Sequence, residues 1–251
     1  MENKTVVFNQ FTREIENNKI INNYLLSRGY SDLFIKENNF GFCPVYSRYS
    51  FPLLRGRLIV PIHDVYGELI AMAGRQIPEY KDQVINGFWE SFGDTPAKCQ
   101  DRINKWNKGK WINEPYQKNK NLFFLNQSKY DCAKKNYIIL VEGYFDAYSL
   151  YDSNLKNVAA ICGTNISENQ ILLGMRYCDN FVILMDSDGP GQNAANLIAK
   201  KIEDMGANPL KVFLPPNYDP DEFCRDYDVS FFDDTVYNMI SNNKKVLHIR
   251  V

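Results

Sequence analysis

The chain has 251 residues, of which 45% are hydrophobic and 24% charged, so it can fold as one large domain or two small ones around a buried core. Its 6 cysteines are scattered without a Cys-x-x-Cys pair and only 2 histidines are present, which argues against a structural zinc site and fits a reducing compartment. No apolar run approaches the roughly 20 residues that cross a bilayer, and the N-terminus lacks a secretion signal, so we expect a cytoplasmic protein without membrane contact.

The net charge is −1, but charges of opposite sign are unevenly distributed along the chain. Lys and Arg are dense between residues 98 and 135, whereas acidic residues concentrate at 142–146, 186–188 and 219–226. A polymerase or nuclease that uses metal ions needs this division, because cations hold the phosphate backbone and carboxylates hold the metal. The charge pattern alone fits a solvated surface equally well.

In the N-terminal half, the spacing of apolar residues predicts helices and a hairpin. The expected elements are a helix over 9–29 that stops at Gly29, a helix over 32–37, a loop over 41–52, and strands 57–62 and 69–73 joined by a turn at 65–68. Residues 76–109 show no sustained period, so we expect an insertion with its own small structure. Trp89, Trp106 and Trp111 either stack on bases or, more often for such aromatics, form a local core.

From residue 137 onward, strands and helices alternate along the chain. The predicted strands are 138–141, 158–161, 181–185 and 211–214, and the predicted helices are 144–151, 167–175, 192–205 and a short one near Asp221. This order is typical of βαβ crossovers and predicts an α/β fold, with a mainly parallel sheet flanked by helices and a smaller mixed α+β N-terminal subdomain before it. In such sheets ligands bind at the carboxyl ends of the strands.

Acidic clusters follow three of these four strands. They are Glu142 with Asp146, Asp186 with Asp188, and Asp219 with Asp221. Each cluster alone is explained by a helix cap or a surface acid, but three clusters at one sheet edge favour a shared site. Carboxylates are the oxygen ligands that Mg²⁺ takes together with substrate phosphate. Two such ions can activate a 3′-hydroxyl and stabilise a leaving pyrophosphate, so the sequence predicts a metal-dependent phosphoryl-transfer enzyme.

Four of these motifs resemble the TOPRIM domain of bacterial DnaG-type primases. They are E-G-Y-F-D at 142–146, G-T at 163–164, D-S-D-G at 186–189 and D-P-D-E at 219–222. Upstream blocks resemble the primase polymerase core in the same order, namely Y-L-L-S-R-G at 24–29, F-G-F-C-P at 40–44, R-L-I-V-P-I at 57–62 followed by Gly67, Gly74 and Arg75, K-W-I-N-E-P at 110–115, and Lys118 with 122–125. The resemblance therefore covers most of the chain from Tyr24 to Glu222.

The resemblance implies a TOPRIM-type sheet with two or three Mg²⁺ or Mn²⁺ ions, whereas the scattered cysteines predict no zinc. The implied metal ligands are Glu142, Asp146, Asp186, Asp188, Asp219 and Asp221, of which Glu142, Asp186 and Asp188 would be catalytic. Arg28, Arg75, Lys110 and Lys118 would bind nucleotide or nucleic acid, for which the arginine fork is suited. An exposed solubilising charge is the alternative for each of these four.

The activity implied by the resemblance is that of a DNA primase. Such an enzyme is a nucleotidyltransferase that makes short RNA primers on single-stranded DNA from ribonucleoside triphosphates and leaves an RNA–DNA hybrid. A TOPRIM nuclease, which would use the same carboxylates to activate water, is one alternative. A degenerate module that binds nucleotide or DNA without turnover is another. A topoisomerase is disfavoured, because no second domain that would present a catalytic tyrosine is evident.

The expected domains are a primase-core subdomain at 1–134 with an insertion near 76–109, a TOPRIM domain at 135–228 and a short tail at 229–251. The insertion is longer than the matching segment of the family. We expect this chain to lack the family's zinc-binding, helical and helicase-binding domains. We therefore expect a compact phage or mobile-element version in the host cytoplasm, recruited by a replicative helicase or by a separate zinc- or helicase-binding protein.

Overall fold

The computed structural model describes residues 3–46, 51–90, 95–107 and 109–249. Residues 47–50 of the predicted loop 41–52 lie outside this description. The chain divides into two compact units, the first formed by Met1–Ile62 with Leu69–Tyr116 and the second by His63–Glu68 with Gln117–Val251. Among the described residues, none of the helices combines the length and the apolar character needed to cross a membrane.

The first unit begins with three helices, α1 (Lys4–Glu16), α2 (Lys19–Ser27) and α3 (Asp32–Glu37). The single helix predicted over 9–29 is wrong, since the chain forms two helices there and the first starts at Lys4. The break occurs because the Asn18 side chain caps α2 by accepting from the Ile21 N–H at 3.1 Å. Gly29, with φ of 92°, terminates α2 as expected.

A four-stranded sheet follows in the order β1-β2-β3-β4. Its strands are β1 (Gly41–Cys43), β2 (Arg57–His63), β3 (Leu69–Arg75) and β4 (Trp111–Asn113). β1 is antiparallel to β2, and β3 is antiparallel to β4. The predicted loop 41–52 thus begins with an edge strand, which is too short for a periodic pattern to reveal. The helix α1 packs its buried face, which includes Val7, Phe8 and Phe11, into one core with Ile59 and Met72 of the sheet.

The segment between β3 and β4 has its own helices. It contains a 3₁₀ turn (Pro78–Tyr80), α4 (Lys81–Glu90) and α5 (Pro96–Asn107). A small apolar cluster joins these helices and consists of Val45, Val84, Phe88, Ile103 and Trp106. Trp106 is therefore a core residue, whereas Trp89 is 46% exposed.

The second unit holds a parallel sheet of five strands in the order β6-β5-β7-β8-β9. These strands are β5 (Tyr137–Val141), β6 (Val158–Ala160), β7 (Asn180–Leu184), β8 (Asn208–Phe213) and β9 (Val246–His248). Its helices are a 3₁₀ turn (Lys118–Lys120), α6 (Leu125–Lys135), α7 (Tyr144–Asp152), α8 (Glu168–Met175), α9 (Gly189–Asp204), α10 (Pro220–Asp226) and α11 (Phe232–Ser241). The predicted α/β class is confirmed.

The central strands β5 and β7 are buried along their whole length. Continuous apolar runs are typical of parallel strands, because helices cover both faces of such a sheet. Helix α9 begins at Gly189 instead of at the predicted residue 192, since the side chain of Asp188 caps it.

The C-terminal residues contribute to the second unit. The predicted tail at 229–251 includes α11 and β9, and β9 extends the sheet with Val246 opposite Lys211 of β8. Helix α11 is held because Asp233 accepts hydrogen bonds from the Lys135 ammonium group and the Tyr137 hydroxyl. The predicted boundary at 134/135 also differs from the compact units, since residues 117–134 belong to the second unit. The predicted TOPRIM domain limits stay a prediction.

Candidate active site

The three predicted acidic clusters lie on loops after β5, β7 and β8, which are neighbours in the sheet. Because these strands are parallel, their carboxyl ends meet at one edge of the sheet. The sheet order therefore brings together clusters that are about forty and thirty residues apart in the chain.

The first cluster is formed where β5 passes into α7. Glu142 is half-buried in the connecting residues, and Gly143 is the N-cap of the helix. Asp146 lies in the first turn, where its Oδ2 accepts from the Gly143 N–H at 2.8 Å. A carboxylate at this position is favoured by the helix dipole, which partly offsets the cost of burial.

The second cluster is formed where β7 passes into α9. Asp188 caps α9, and its Oδ1 accepts from the Gly191 N–H at 2.7 Å. A Cβ at Gly191 would lie 2.4 Å from the main-chain oxygen of Asp186, so only glycine permits this close turn. The tight turn keeps Asp186 and Asp188 together at the end of the strand.

The third cluster follows β8. Asp219 caps α10 by accepting from the Glu222 N–H at 2.6 Å. Two hydrogen bonds join this loop to the second cluster: the Ser187 N–H donates to the Tyr218 oxygen at 3.1 Å, and the Tyr218 N–H donates to the Ser187 Oγ at 2.9 Å. Ser187 thus holds the loops that carry Asp186 and Asp219 side by side.

Asp221 differs from the other five carboxylates because its side chain is only 1% exposed. Its Oδ1 accepts from the Ser149 hydroxyl at 2.5 Å, and its Oδ2 lies 3.3 Å from the Arg225 guanidinium. The Ser149 contact joins α10 to α7, the Arg225 contact lies within α10, and together they satisfy both carboxylate oxygens. Asp221 therefore acts in this structure as a link between the helices that carry Asp146 and Asp219.

The electrostatic state of the cluster follows from burial and from mutual repulsion. Burial, followed by the charges of Asp219 and Asp186, raises the pKa of Asp146 to about 8. Burial, followed by the charges of Glu142 and Asp219, raises the pKa of Asp186 to about 6. Burial and the charge of Asp188 raise the pKa of Glu142 as well. Negative charges nearby thus disfavour ionisation of Glu142, Asp146 and Asp186, and a cation among them would relieve the repulsion.

Lys118 is the predicted basic residue that lies beside this cluster. Its ammonium group opposes the effects of burial and of Asp188 on the pKa of Glu142. Its Nζ lies 2.9 Å from where a Cβ on Gly163 would stand, so the G-T motif provides the space that the lysine occupies. The Gln170 side chain fixes the 3₁₀ turn that begins at Lys118 by donating to the Lys118 oxygen at 3.3 Å and the Asn121 oxygen at 2.9 Å.

The other predicted basic residues lie in the first unit and share one neighbourhood. The Tyr24 hydroxyl accepts from Arg28 Nη1 at 3.2 Å and from Arg75 Nε at 3.1 Å. The Arg75 guanidinium stands over the Trp111 ring at 5.3 Å, and the exposed Lys110 precedes that tryptophan. Two guanidinium groups on one hydroxyl make a positively charged site with an aromatic floor, which is suited to a phosphate group or a base.

Sequence reasoning missed several residues that build the site without forming its charge. They are Ser149, Ser187, Gln170 and Tyr24, which form hydrogen bonds between elements distant in the chain, and Arg225, which pairs with Asp221 within α10. Two of them had a local signal, since Ser167 and Gln170 form a capping box and Arg225 stands four residues after Asp221 on one helix.

The residues fit hard divalent cations by the chemistry of their donors, which are all carboxylate oxygens. Within the described parts of the chain, no three His, Cys, Asp or Glu side chains stand in an arrangement that would hold a metal ion by themselves. The six residues therefore stay a prediction as metal ligands.

Comparison with known proteins agrees with this geometry. Residues 139–224 match a family model described as Toprim-like. The DNA primase of Aquifex aeolicus is 31% identical over 175 residues, which cover 68% of this chain and 30% of the relative. The DNA primase of Staphylococcus aureus is 26% identical over 241 residues, which cover 93% of this chain and 39% of the relative. The chain thus spans well under half the length of these relatives.

A solved structure of a DnaG primase catalytic domain bound to single-stranded DNA matches 93% of this chain with a TM-score of 0.71 and 21% identity, and 79% of that structure is covered. This chain has the fold of the DnaG-type primase catalytic core. The Toprim-like segment, residues 139–224, includes all three acidic clusters, from Glu142 to Asp221. Divalent metal binding is a general property of Toprim domains in primases, and the carboxylates described above are the candidates for it in this chain.

Proposed function

We propose that the chain is the catalytic part of a DNA primase, which makes short RNA primers on single-stranded DNA from ribonucleoside triphosphates. One observation carries the proposal: three acidic loops follow adjacent parallel strands and repel one another, with Lys118 beside them. That arrangement suits a reaction in which metal ions and phosphate oxygens complete the site together.

Mg²⁺ or Mn²⁺ would be held by Glu142, Asp146, Asp186, Asp188 and Asp219, in a set of two or three ions. Asp221 belongs to the same proposed set through its position on α10, where it supports Asp146 and Asp219. When bound, such ions lower the pKa of the attacking 3′-hydroxyl and stabilise the charge of the leaving pyrophosphate. Glu142, Asp186 and Asp188 would be the catalytic carboxylates, because their loops leave them accessible at the strand ends.

The basic residues would bind the polyanionic substrates. Lys118 lies close enough to Glu142 to hold a phosphate group of the incoming nucleotide, since its charge already acts on that carboxylate. Arg28, Arg75 and Lys110 would hold the nucleotide or the nucleic-acid backbone on the first unit. The related catalytic domain bound to single-stranded DNA supports a DNA template as the partner.

The remaining partners follow from the same proposal. The RNA–DNA hybrid would be the product, and a replicative helicase or a separate zinc- or helicase-binding protein would bring the enzyme to its template. The reaction would take place in the bacterial cytoplasm, including that of a host if the protein is phage-encoded.

The direct test is template-dependent synthesis. The full chain is incubated with single-stranded DNA, labelled ribonucleotides and either Mg²⁺ or Mn²⁺, and the products are resolved by length. We expect Glu142→Gln and Asp186→Asn each to reduce synthesis by at least about a hundredfold, as is usual when a group that stabilises the transition state is removed. The matched controls Glu168→Gln and Asp204→Asn make the same chemical changes at exposed helix positions and should leave the rate unchanged.

Two results would contradict the proposal. Degradation of labelled DNA in the absence of nucleotides, lost in the same two variants, would identify a nuclease that activates water at this site. Nucleotide binding without turnover in either metal would identify a binding module.

A further inference from the structure

The buried side chain of Gln170, near the start of α8, joins three segments of the second unit. It is 2% exposed, and its Nε2 donates to the oxygens of Lys118 at 3.3 Å, Asn121 at 2.9 Å and Ile161 at 3.3 Å. Because an amide nitrogen carries two protons, these three acceptors share them. The Oε1 of the same side chain accepts from the Ser167 N–H at 2.9 Å, which completes the capping box of α8.

Ser167 adds a second tie to the same 3₁₀ turn. Its hydroxyl donates to the Asn119 oxygen at 2.5 Å, and its Oγ accepts from the Gln170 N–H at 3.1 Å. Two side chains at the start of α8 therefore bind the main-chain oxygens of Lys118, Asn119 and Asn121. The place of this turn in the second unit is set by α8.

The two segments that Gln170 joins are the two that border the Lys118 side chain. One carries Lys118 itself, and the other leads from Ile161 to Gly163. The Lys118 Nζ lies 2.9 Å from where a Cβ on Gly163 would stand, and its charge acts on the carboxylate of Glu142. The ammonium group thus approaches the acidic cluster past the glycine, and its position depends on both segments.

A lysine needs such support more than an arginine does. Its ammonium group is a point charge on a flexible stem, so only a fixed backbone keeps the charge in one place. Without the Gln170 amide, buried main-chain oxygens would lose their donor, and the turn would move to find another. A displacement of about 1 Å is enough to weaken a contact that positions a substrate.

We propose that Gln170, supported by Ser167, is a positioning residue that sets how tightly Lys118 holds the triphosphate of the incoming ribonucleotide. This role rests on the proposed function, because it takes Lys118 as the residue that binds a nucleotide phosphate. Gln170 lies behind the turn and acts through Lys118. Its loss should therefore raise the Kd and the KM for nucleotide and leave kcat nearly unchanged.

The test is the binding of ATP by the full chain in Mg²⁺ without template, measured by isothermal titration calorimetry. Gln170→Met removes the amide at nearly constant size and should weaken ATP binding about three- to tenfold, which is part of the loss expected for a hydrogen bond to a charged group. Gln170→Glu keeps an oxygen for the Ser167 N–H but loses the amide protons, so it should weaken binding in the same way. The control Gln127→Met makes the first change at an exposed position of α6 and should leave binding unchanged.

Two measurements separate positioning from a general loss of structure. In the Lys118→Gln background, Gln170→Met should weaken ATP binding by less than about twofold, because the two changes affect one contact. In primer synthesis, Gln170→Met should raise KM about three- to tenfold and change kcat by less than about twofold. If Gln170→Met does not fold, Ser167→Ala removes the hydroxyl that holds Asn119 and should weaken ATP binding about two- to threefold.

The outcomes distinguish this role from the proposed function. Equal ATP affinity in the wild type and both Gln170 variants, or a loss as large in the Lys118→Gln background as in the wild type, would overturn the role of Gln170 alone. A wild-type protein that does not bind ATP, or binds it equally well after Lys118→Gln, would overturn the proposed role of Lys118 and the role of Gln170 with it.

Discussion

Asp146→Asn should stabilise the metal-free protein at alkaline pH. The carboxyl group of Asp146 is buried beside Asp219 and Asp186, and its pKa is raised to about 8 from its usual 3.8. A raised pKa in the folded state means that the contribution of this group to stability is fully present below about pH 4 and is lost as the pH rises to about 8. Asparagine has no charge to bury, and its side-chain oxygen can still accept from the Gly143 N–H.

The size of the stabilisation follows from the shift in the pKa of Asp146. A change of about four pKa units corresponds to about 5–6 kcal/mol at pH 8, with about 1.4 kcal/mol for each unit. Relaxation of the neighbouring loops and entry of water reduce this figure, so we expect a gain of about 2–4 kcal/mol in the free energy of unfolding at pH 8. The gain should shrink steadily on acidification and vanish near pH 4.

The assay is urea unfolding of the wild type and the variant at several pH values in EDTA, followed by circular dichroism. Adding Mg²⁺ at pH 8 should stabilise the wild type by mass action and the variant much less, which reduces or reverses the difference. Asp204→Asn, at an exposed position near the end of α9, is the control and should change stability by less than about 0.5 kcal/mol at every pH. An Asp146→Asn protein that is no more stable than the wild type at pH 8, or a gain that does not depend on pH, would refute the reasoning.

Two further predictions concern individual positively charged side chains. Lys118→Gln removes the positive charge that lowers the pKa of Glu142, so this pKa should rise. The pH at which Mn²⁺ binding is half-maximal should then move to a higher value, because the metal binds the ionised carboxylate. An unchanged pH profile would show that Lys118 does not act on the carboxylates. Arg57→Met leaves the oxygens of Trp106 and Gly109 without their donor, so it should lower the free energy of unfolding by about 2–4 kcal/mol and speed amide exchange in α5. If the free energy of unfolding falls but the amides of α5 exchange at the wild-type rate, Arg57 does not hold the end of α5 locally.

The order of elements in the second unit was predictable because each strand is a continuous apolar run bounded by turn residues. The strand ends at Val141, Leu184 and Phe213 agree with the predicted ends to within one residue, and the acidic clusters begin one, two and six residues after them. Local signals failed where a side chain redirected the backbone. The Asn18 cap divided one predicted helix into two, and the Asp188 cap started α9 three residues early.

The sequence by itself determined which residues carry charge and at which strand ends they stand, because strand length and apolar period are local properties. It could not show that Asp221 is enclosed by Ser149 and Arg225, that Lys118 occupies the space left by Gly163, or that α11 and β9 complete the sheet. These contacts join residues up to about a hundred positions apart, and only the packing of α7, α10 and the five strands brings them together. The sequence thus determines which acidic residues form the clusters, whereas burial in the folded structure determines their protonation and accessibility.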